Sequence, residues 1–296
     1  MNSGFLFSYI DDYMKIEINK DKCRVCGACE AICPSRVFKR EDGKMTVHHR
    51  HACIDCGHCV AVCHDDAIEH SSFPASKVHE INKEILPTAD AVLELCRSRR
   101  SNRAFSTRSV PREMIDAILE AAHTAPTASN AQGVEYTVVT SQEHLEFIRR
   151  HTIKGYEKMY RMLSMPVVKQ LIKIFAPKTY SMRKKIKRVI KEDRKGRDIV
   201  LRGATAVILI HTPRDSRFGR DDANLAYQNA SLMAESLGVS QFYGGFICSV
   251  VRRDKKQIFE KHFGIDGAVQ SVMALGMPAI KFHSYIDRKE LKVKSF

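Results

Sequence analysis

Eight cysteines fall between positions 23 and 63 in two copies of one run, C-x2-C-x2-C-x3-C: Cys23, Cys26, Cys29, Cys33, then Cys53, Cys56, Cys59, Cys63. No other feature of this 296-residue chain restricts its fold so tightly. Thiols two residues apart converge on one small volume because the loop coils around it, and three at this spacing suit three corners of an iron–sulfur cubane. A zinc ribbon needs only paired C-x2-C units and leaves the third cysteine of each run without a role. Candidate strands at 15–18 and 44–47, with Gly27, Gly43 and Gly57 at turns, surround the runs. A segment this small has little apolar core, so metal ligation is expected to supply much of its stability.

Cytoplasmic thiols are kept reduced, so cysteines in this pattern point to metal or redox chemistry rather than structural disulfides. No run of 18 uncharged apolar residues occurs, and Met1 through Tyr13 lacks a basic leader region, so a cytoplasmic location is expected. The net charge of +14 is concentrated between Leu145 and Arg202, where 18 Lys/Arg face 5 Asp/Glu. Within it, Tyr156, Met159, Tyr160, Leu163, Val167, Leu171 and Phe175 follow three- and four-residue steps, an amphipathic helix interrupted at Pro166. The basic face fits a solvated surface, a cationic lid for acidic substrates or, less favoured, a membrane-surface contact. Nucleic acid is not expected, since the aromatics belong to the apolar stripe and no nucleic-acid motif accompanies the charge.

The chain divides into a tail at 1–14, the cysteine-rich domain at 15–74, a linker at 75–90 and a larger domain at 91–296, with the basic insert at 145–202. In the larger domain, helices are expected at 111–122, 141–150, 221–237 and 254–263, and strands at 134–139, 206–210 and 271–275. Helices alternating with strands imply layers on both faces of a sheet. Cys96 and Cys248 read as buried small hydrophobes. His48, His49, His51, His58, His64 and His70 read as surface residues, with a redox-linked proton role as the alternative.

Residues 15–74 resemble the bacterial-type two-cluster ferredoxin domain, with His64 replacing the usual proline after the last cysteine. In such domains the fourth cysteine of each run serves the other cluster. The resemblance therefore implies one [4Fe–4S] cluster on Cys23, Cys26, Cys29 and Cys63, and another on Cys53, Cys56, Cys59 and Cys33. Downstream, Arg99-Arg100-Ser101-Asn102-Arg103-Ala104-Phe105 concentrates phosphate-seeking donors, and Pro126-Thr127-Ala128-Ser129-Asn130-Ala131-Gln132 follows a helix. With Tyr243-Gly244-Gly245-Phe246, Leu275-Gly276-Met277-Pro278 and Arg288, these motifs resemble the nitroreductase family of FMN enzymes over residues 93–296. The resemblance implies an α+β domain of three layers, α/β/α, beside the small two-cluster domain. It implies FMN held by Arg99, Ser101, Arg103, Pro126, Thr127, Ala128, Asn130, Gln132, Tyr243, Gly244, Gly245 and Arg288. Gly133-Val134 replaces the family's common Pro-Trp, and Ile286 stands where a second phosphate-contacting Lys is common, with Lys289 near enough to compensate.

It also implies a homodimer with FMN at its interface. The expected activity is an iron–sulfur flavoprotein oxidoreductase, supplied by a low-potential donor such as ferredoxin and reducing a nitro, quinone or activated-alkene substrate. The alternatives are an electron-transfer or redox-sensing module serving a protein partner, or a dehalogenase-like or flavin-modifying enzyme of the same fold. No side chain reads as a catalytic acid or base; hydride donation from flavin N5 needs mainly positioning.

Overall fold

The computed structural model describes residues 15–296, and the expected tail at 1–14 lies outside the described residues. Chain contacts divide the protein into two units, one of residues 15–86 with Ser129–Ala131, the other of Pro87–Ala128 with Gln132–Phe296.

In the first unit β1 (Ile16–Ile18) pairs antiparallel with β4 (Ile68–His70), Ile16 opposite His70, and β2 (Phe38–Glu41) pairs antiparallel with β3 (Lys44–Val47). Short helices α1 (Ala28–Ile32) and α2 (His58–Ala61) begin directly after Gly27 and Gly57. The two cysteine runs repeat the same backbone thirty positions apart. Gly27 and Gly57 both precede a helix at positive φ (83° and 69°), and Val25 and Asp55 match at 55° and 54°. Arg36 and Asp66 do so at 52° and 48°. Ile16, Val37, Phe38, Met45 and Ile68 form a small buried core with Cys29 and Cys59. Asn130 belongs to this unit, its Nδ2 donating to the Ile54 carbonyl (3.2 Å) and the Asp55 carbonyl (2.7 Å). Of the six histidines read as surface residues, five are exposed, but His70 is only 5% exposed because it faces inward from β4.

The second unit is built on a four-stranded sheet of order β5-β6-β8-β7, comprising β5 (Glu135–Val139), β6 (Ala206–Thr212), β7 (Ser240–Tyr243) and β8 (Ala268–Gly276), with every neighbouring pair antiparallel. All of β6 is buried, since helices cover both sheet faces and its side chains alternate between them. Val207 and Leu209 join one core, with residues of α5 (Gln142–Ser164), α7 (Pro177–Arg194) and α9 (Gly245–Val251), and with Phe259 of α10 (Ile258–His262). Ala206, Ile208 and Ile210 join the other, with α4 (Arg112–His123) and α8 (Gly219–Ser236). The result is a three-layer α+β fold. α3 (Ala89–Ser98), capped by Thr88 Oγ1 on the Ala91 N–H (3.2 Å), precedes these layers.

Two helices and one cysteine differ from expectation. The helix expected at 141–150 continues as α5 to Ser164, because Ile148, Thr152, Ile153, Tyr156 and Leu163 keep one buried face past Arg150. The expected break at Pro166 occurs there, where α6 (Pro166–Phe175) begins. The helix expected at 254–263 shortens to α10, since Gln257 adopts φ 56° and the Asp254 carboxylate accepts from the N–H groups of Lys256 (3.1 Å) and Ile258 (2.9 Å). Cys96, read as buried, is exposed on α3, whereas Cys248 is buried.

Candidate functional site

A cavity in the first unit is lined by Cys33, Cys53, Cys56 and Cys59 together with Val37 and His70. The structure thus gathers three thiols of the second run with the fourth thiol of the first. The glycine turns and positive-φ residues make this possible, because each run must curl its backbone around the cavity. Cys33 Sγ accepts the Val37 N–H and Cys63 Sγ the Ala67 N–H, both at 3.3 Å, repeating the thirty-residue relation. Cys23 and Cys26 act electrostatically on the Cys29 thiol, and Cys63 packs against the same small core as Cys23 and Cys29. Among the described residues no three His, Cys, Asp or Glu side chains meet closely enough for one mononuclear ion. The thiols line a volume, and soft sulfur donors around a volume fit an iron–sulfur cluster. Burial pushes the Cys29 and Cys53 thiols up and the Cys59 thiol to about 11, so ligation of metal must release protons here.

In the second unit, the loop after α3 is locked by its own side chains. Asn102, buried, donates to the Ile280 carbonyl at 2.7 Å and accepts from the Ala104 N–H at 3.0 Å, while the Ser106 N–H donates to the Met277 carbonyl at 2.8 Å. Phe105 stacks on Phe242 with ring centroids 5.8 Å apart. Ser101 forms a parallel bridge with Gln241 of β7, and the Arg103 guanidinium lies over the Phe242 ring at 5.6 Å. Among the described residues no carboxylate pairs with Arg99 or Arg103, which leaves both cations available to an anion.

Helix α8 ties these motifs together. Its buried Asp222 accepts the Ala128 N–H at 3.0 Å, fixing the Pro126–Ala128 turn, and Thr127 Oγ1 accepts the Gln132 N–H at 2.9 Å. Five residues along α8, Tyr227 donates to Gln241 Oε1 at 2.5 Å, and its ring meets that of Tyr243 at 4.9 Å. Burial pushes the Tyr227 phenol up, and the nearby Arg99 and Arg103 oppose that shift. Thr127 and Gln132 line a small cavity with Val134, Tyr136 and Ala226. Asp222, Tyr227 and Gln241 were not singled out in the sequence; an acid in a helix's first turn usually signals only the helix dipole.

Gly244 is buried, and a Cβ there would lie 2.8 Å from Val272 Cγ1, so packing inside the protein already demands glycine. Gly245 is exposed, with Tyr243 Cδ1 at 3.8 Å as the nearest obstacle. Arg288 lies in the exposed C-terminal stretch, and no described hydrogen bond joins it to the other motif residues. Arg100 Nη2 does reach that stretch, donating to the Ile286 carbonyl at 3.4 Å. The guanidinium groups of Arg99 and Arg103 beside Ser101, which no described carboxylate offsets, fit a phosphate-bearing cofactor.

The nitroreductase family profile matches residues 96–277, and a 4Fe-4S dicluster domain profile matches residues 22–68. The chain shares its fold with a nitroreductase with bound FMN from Bacteroides fragilis, at 17% identity and a TM-score of 0.52, over 69% of this chain and 98% of that one. Iodotyrosine deiodinase 1 of Pongo abelii is 32% identical over 101 residues, 34% of this chain and 34% of that protein. NADH-quinone oxidoreductase subunit I 2 of Geobacter metallireducens is 32% identical over 65 residues, 19% of this chain and 50% of that protein. The chain thus spans a third to a half of the length of these curated relatives. Since the first profile covers more than half of the residues and the second encloses both cysteine runs, the chain belongs to the nitroreductase family of FMN-dependent oxidoreductases and carries a domain for two [4Fe–4S] clusters.

Proposed function

We propose that this protein is an iron–sulfur flavoprotein oxidoreductase that takes electrons singly from a low-potential donor of the ferredoxin type and delivers them in pairs to a nitro, quinone or activated-alkene substrate. The observation that carries this reading is the union in one chain of a four-thiol cavity and the Arg99–Arg103 anion site organised by α8. When bound, the clusters supply one-electron chemistry and FMN supplies two-electron chemistry at N5. Arg99, Ser101, Arg103 and Arg288 are assigned to the phosphate and ribityl chain. Pro126, Thr127, Ala128, Asn130, Gln132, Tyr243, Gly244 and Gly245 are assigned to the ring side. Cys23, Cys26, Cys29 and Cys63 are assigned to one cluster and Cys33, Cys53, Cys56 and Cys59 to the other. Asp222 and Tyr227 hold these groups in place without touching substrate. The basic segment α5–α7 serves as the substrate lid, and two copies of the chain share the flavin. The metal-binding pattern of the cysteines supports a cytoplasmic location; no helix among the described residues is long and apolar enough to cross a membrane.

The test is Cys56→Ala. Reduced ferredoxin should reduce the flavin quickly in the wild type and slowly in the variant during stopped flow, while direct chemical reduction and flavin content stay nearly unchanged. Equal rates with ferredoxin would remove that centre from the electron path. A second reading, reductive dehalogenation, is favoured by the likeness to iodotyrosine deiodinase 1; iodide release from iodotyrosine by the reduced protein separates the two.

A further inference from the structure

The two halves of the cysteine domain repeat one another at a thirty-residue offset, and two positions beside Cys53 have diverged in ways that bear on redox chemistry: Asp55, the counterpart of Val25, and His70. Counting from Cys23 and Cys53, the counterpart of His70 in the first half is Arg40. Arg40 is an exposed residue whose guanidinium lies beside Gly27. His70 is buried, with its Nε2 3.8 Å from Cys53 Sγ, inside the longer range of an N–H···S bond. The ring's other nitrogen settles which one carries the proton: Nδ1 accepts the Ser72 N–H at 3.3 Å, so the hydrogen sits on Nε2. Asp55 Oδ1 also lies 3.8 Å from Nε2, too far to be the acceptor of an N–H···O bond. The donor therefore serves the sulfur.

We propose that His70 is a positioning residue that donates a hydrogen bond to the Cys53 thiolate and makes the centre held by Cys33, Cys53, Cys56 and Cys59 the more easily reduced of the two. The inference rests on that ligand set. A hydrogen bond to a ligating sulfur offsets negative charge, which is greatest in the reduced state, and so raises the reduction potential. No imidazole takes the corresponding place at Arg40. A duplicated pair of sites thereby acquires an order, and a single electron entering the domain comes to rest on the His70 side.

The experiment is an anaerobic redox titration of the full-length holoprotein, followed by EPR at one fixed pH. The wild type should show two reduction waves. His70→Phe, which keeps a ring beside Phe73 but removes the donor, should retain eight irons, shift the upper wave downward and leave the lower wave in place. His70→Gln, which keeps an N–H donor, should fall between. With iron retained, an unmoved upper wave or equal movement of both waves would overturn the proposal. Should His70→Phe lose iron, wild-type protein labelled with [15N]histidine decides by pulsed EPR. The first centre to be reduced must show one histidine nitrogen coupling that His70→Gln abolishes, and no coupling would overturn the assignment. A wild type holding fewer than eight irons would strike instead at the two-cluster reading.

Discussion

Glu260 is 4% exposed on α10, and its Oε2 has no hydrogen-bond partner. Burial pushes its carboxyl above the usual 4.5. The folded state therefore holds this proton more tightly than the unfolded chain does. Its stabilising contribution is present below the unfolded value and lost as pH rises through the folded one. Glu260→Gln, neutral at every pH, should raise the melting temperature at pH 7–8 and lose that advantage near pH 4.5; a melt showing no gain at neutral pH would refute this. At the anion site, charge-assisted hydrogen bonds contribute roughly 1.5–3 kcal/mol each, so Arg99→Ala or Arg103→Ala should weaken FMN binding by about 10- to 150-fold in a fluorescence titration, with iron content unchanged. These arginines were legible because charge and spacing are local properties. Asp222 was not, since its role depends on a backbone N–H from 94 residues away. His70 was hidden for a similar reason: a histidine's burial is decided by which face of β4 turns inward, and three residues give too short a pattern to read.

Among the elements, β6 was readable because AVILIHT is apolar enough to need cover on both faces. β7 was not, because its Ser240 and Gln241 are polar yet buried, Gln241 being satisfied by Tyr227. α5 extends past the expected 141–150 because Thr152, polar within its buried face, donates its hydroxyl to the Ile148 carbonyl at 2.8 Å and the helix continues. Further along, Gly155 lets α5 approach α9: a Cβ there would lie 2.3 Å from Val250 Cγ1. Alanine normally stabilises a helix interior by about 1 kcal/mol over glycine. Here, branched Val250 has little room to yield, so Gly155→Ala should destabilise the fold by about 1–3 kcal/mol. The double variant with Val250→Ala should recover much of that loss, and denaturant unfolding of the four proteins in the cycle measures the coupling. Arg149 links α5 to α7 through Asp193 while also pairing with Glu146, whose carboxyl is held down to about 2 by Arg149 and Arg150. In contrast, α6 has no buried residue, and Val167, Leu171, Ile174 and Phe175 are exposed.

For the whole molecule, the division into a metal-held unit and a sheet-based unit matches their compositions: little core and eight thiols in one, two extended cores in the other. If two chains share the flavin, loss of FMN should accompany dissociation. Light scattering at falling protein concentration should show FMN released as the mass halves; a monomer that retains FMN would contradict the shared site.

The thirty-residue offset relating Val25 to Asp55 and Arg36 to Asp66 also bears on ancestry. One copy supplies three closely spaced thiols to a cavity whose fourth, Cys33, comes from its twin. A founder peptide of that length could complete such a centre only by meeting another of its kind. With both copies in one chain, that encounter no longer depends on protein concentration, and each copy can carry its own side chains, as Arg40 and His70 do.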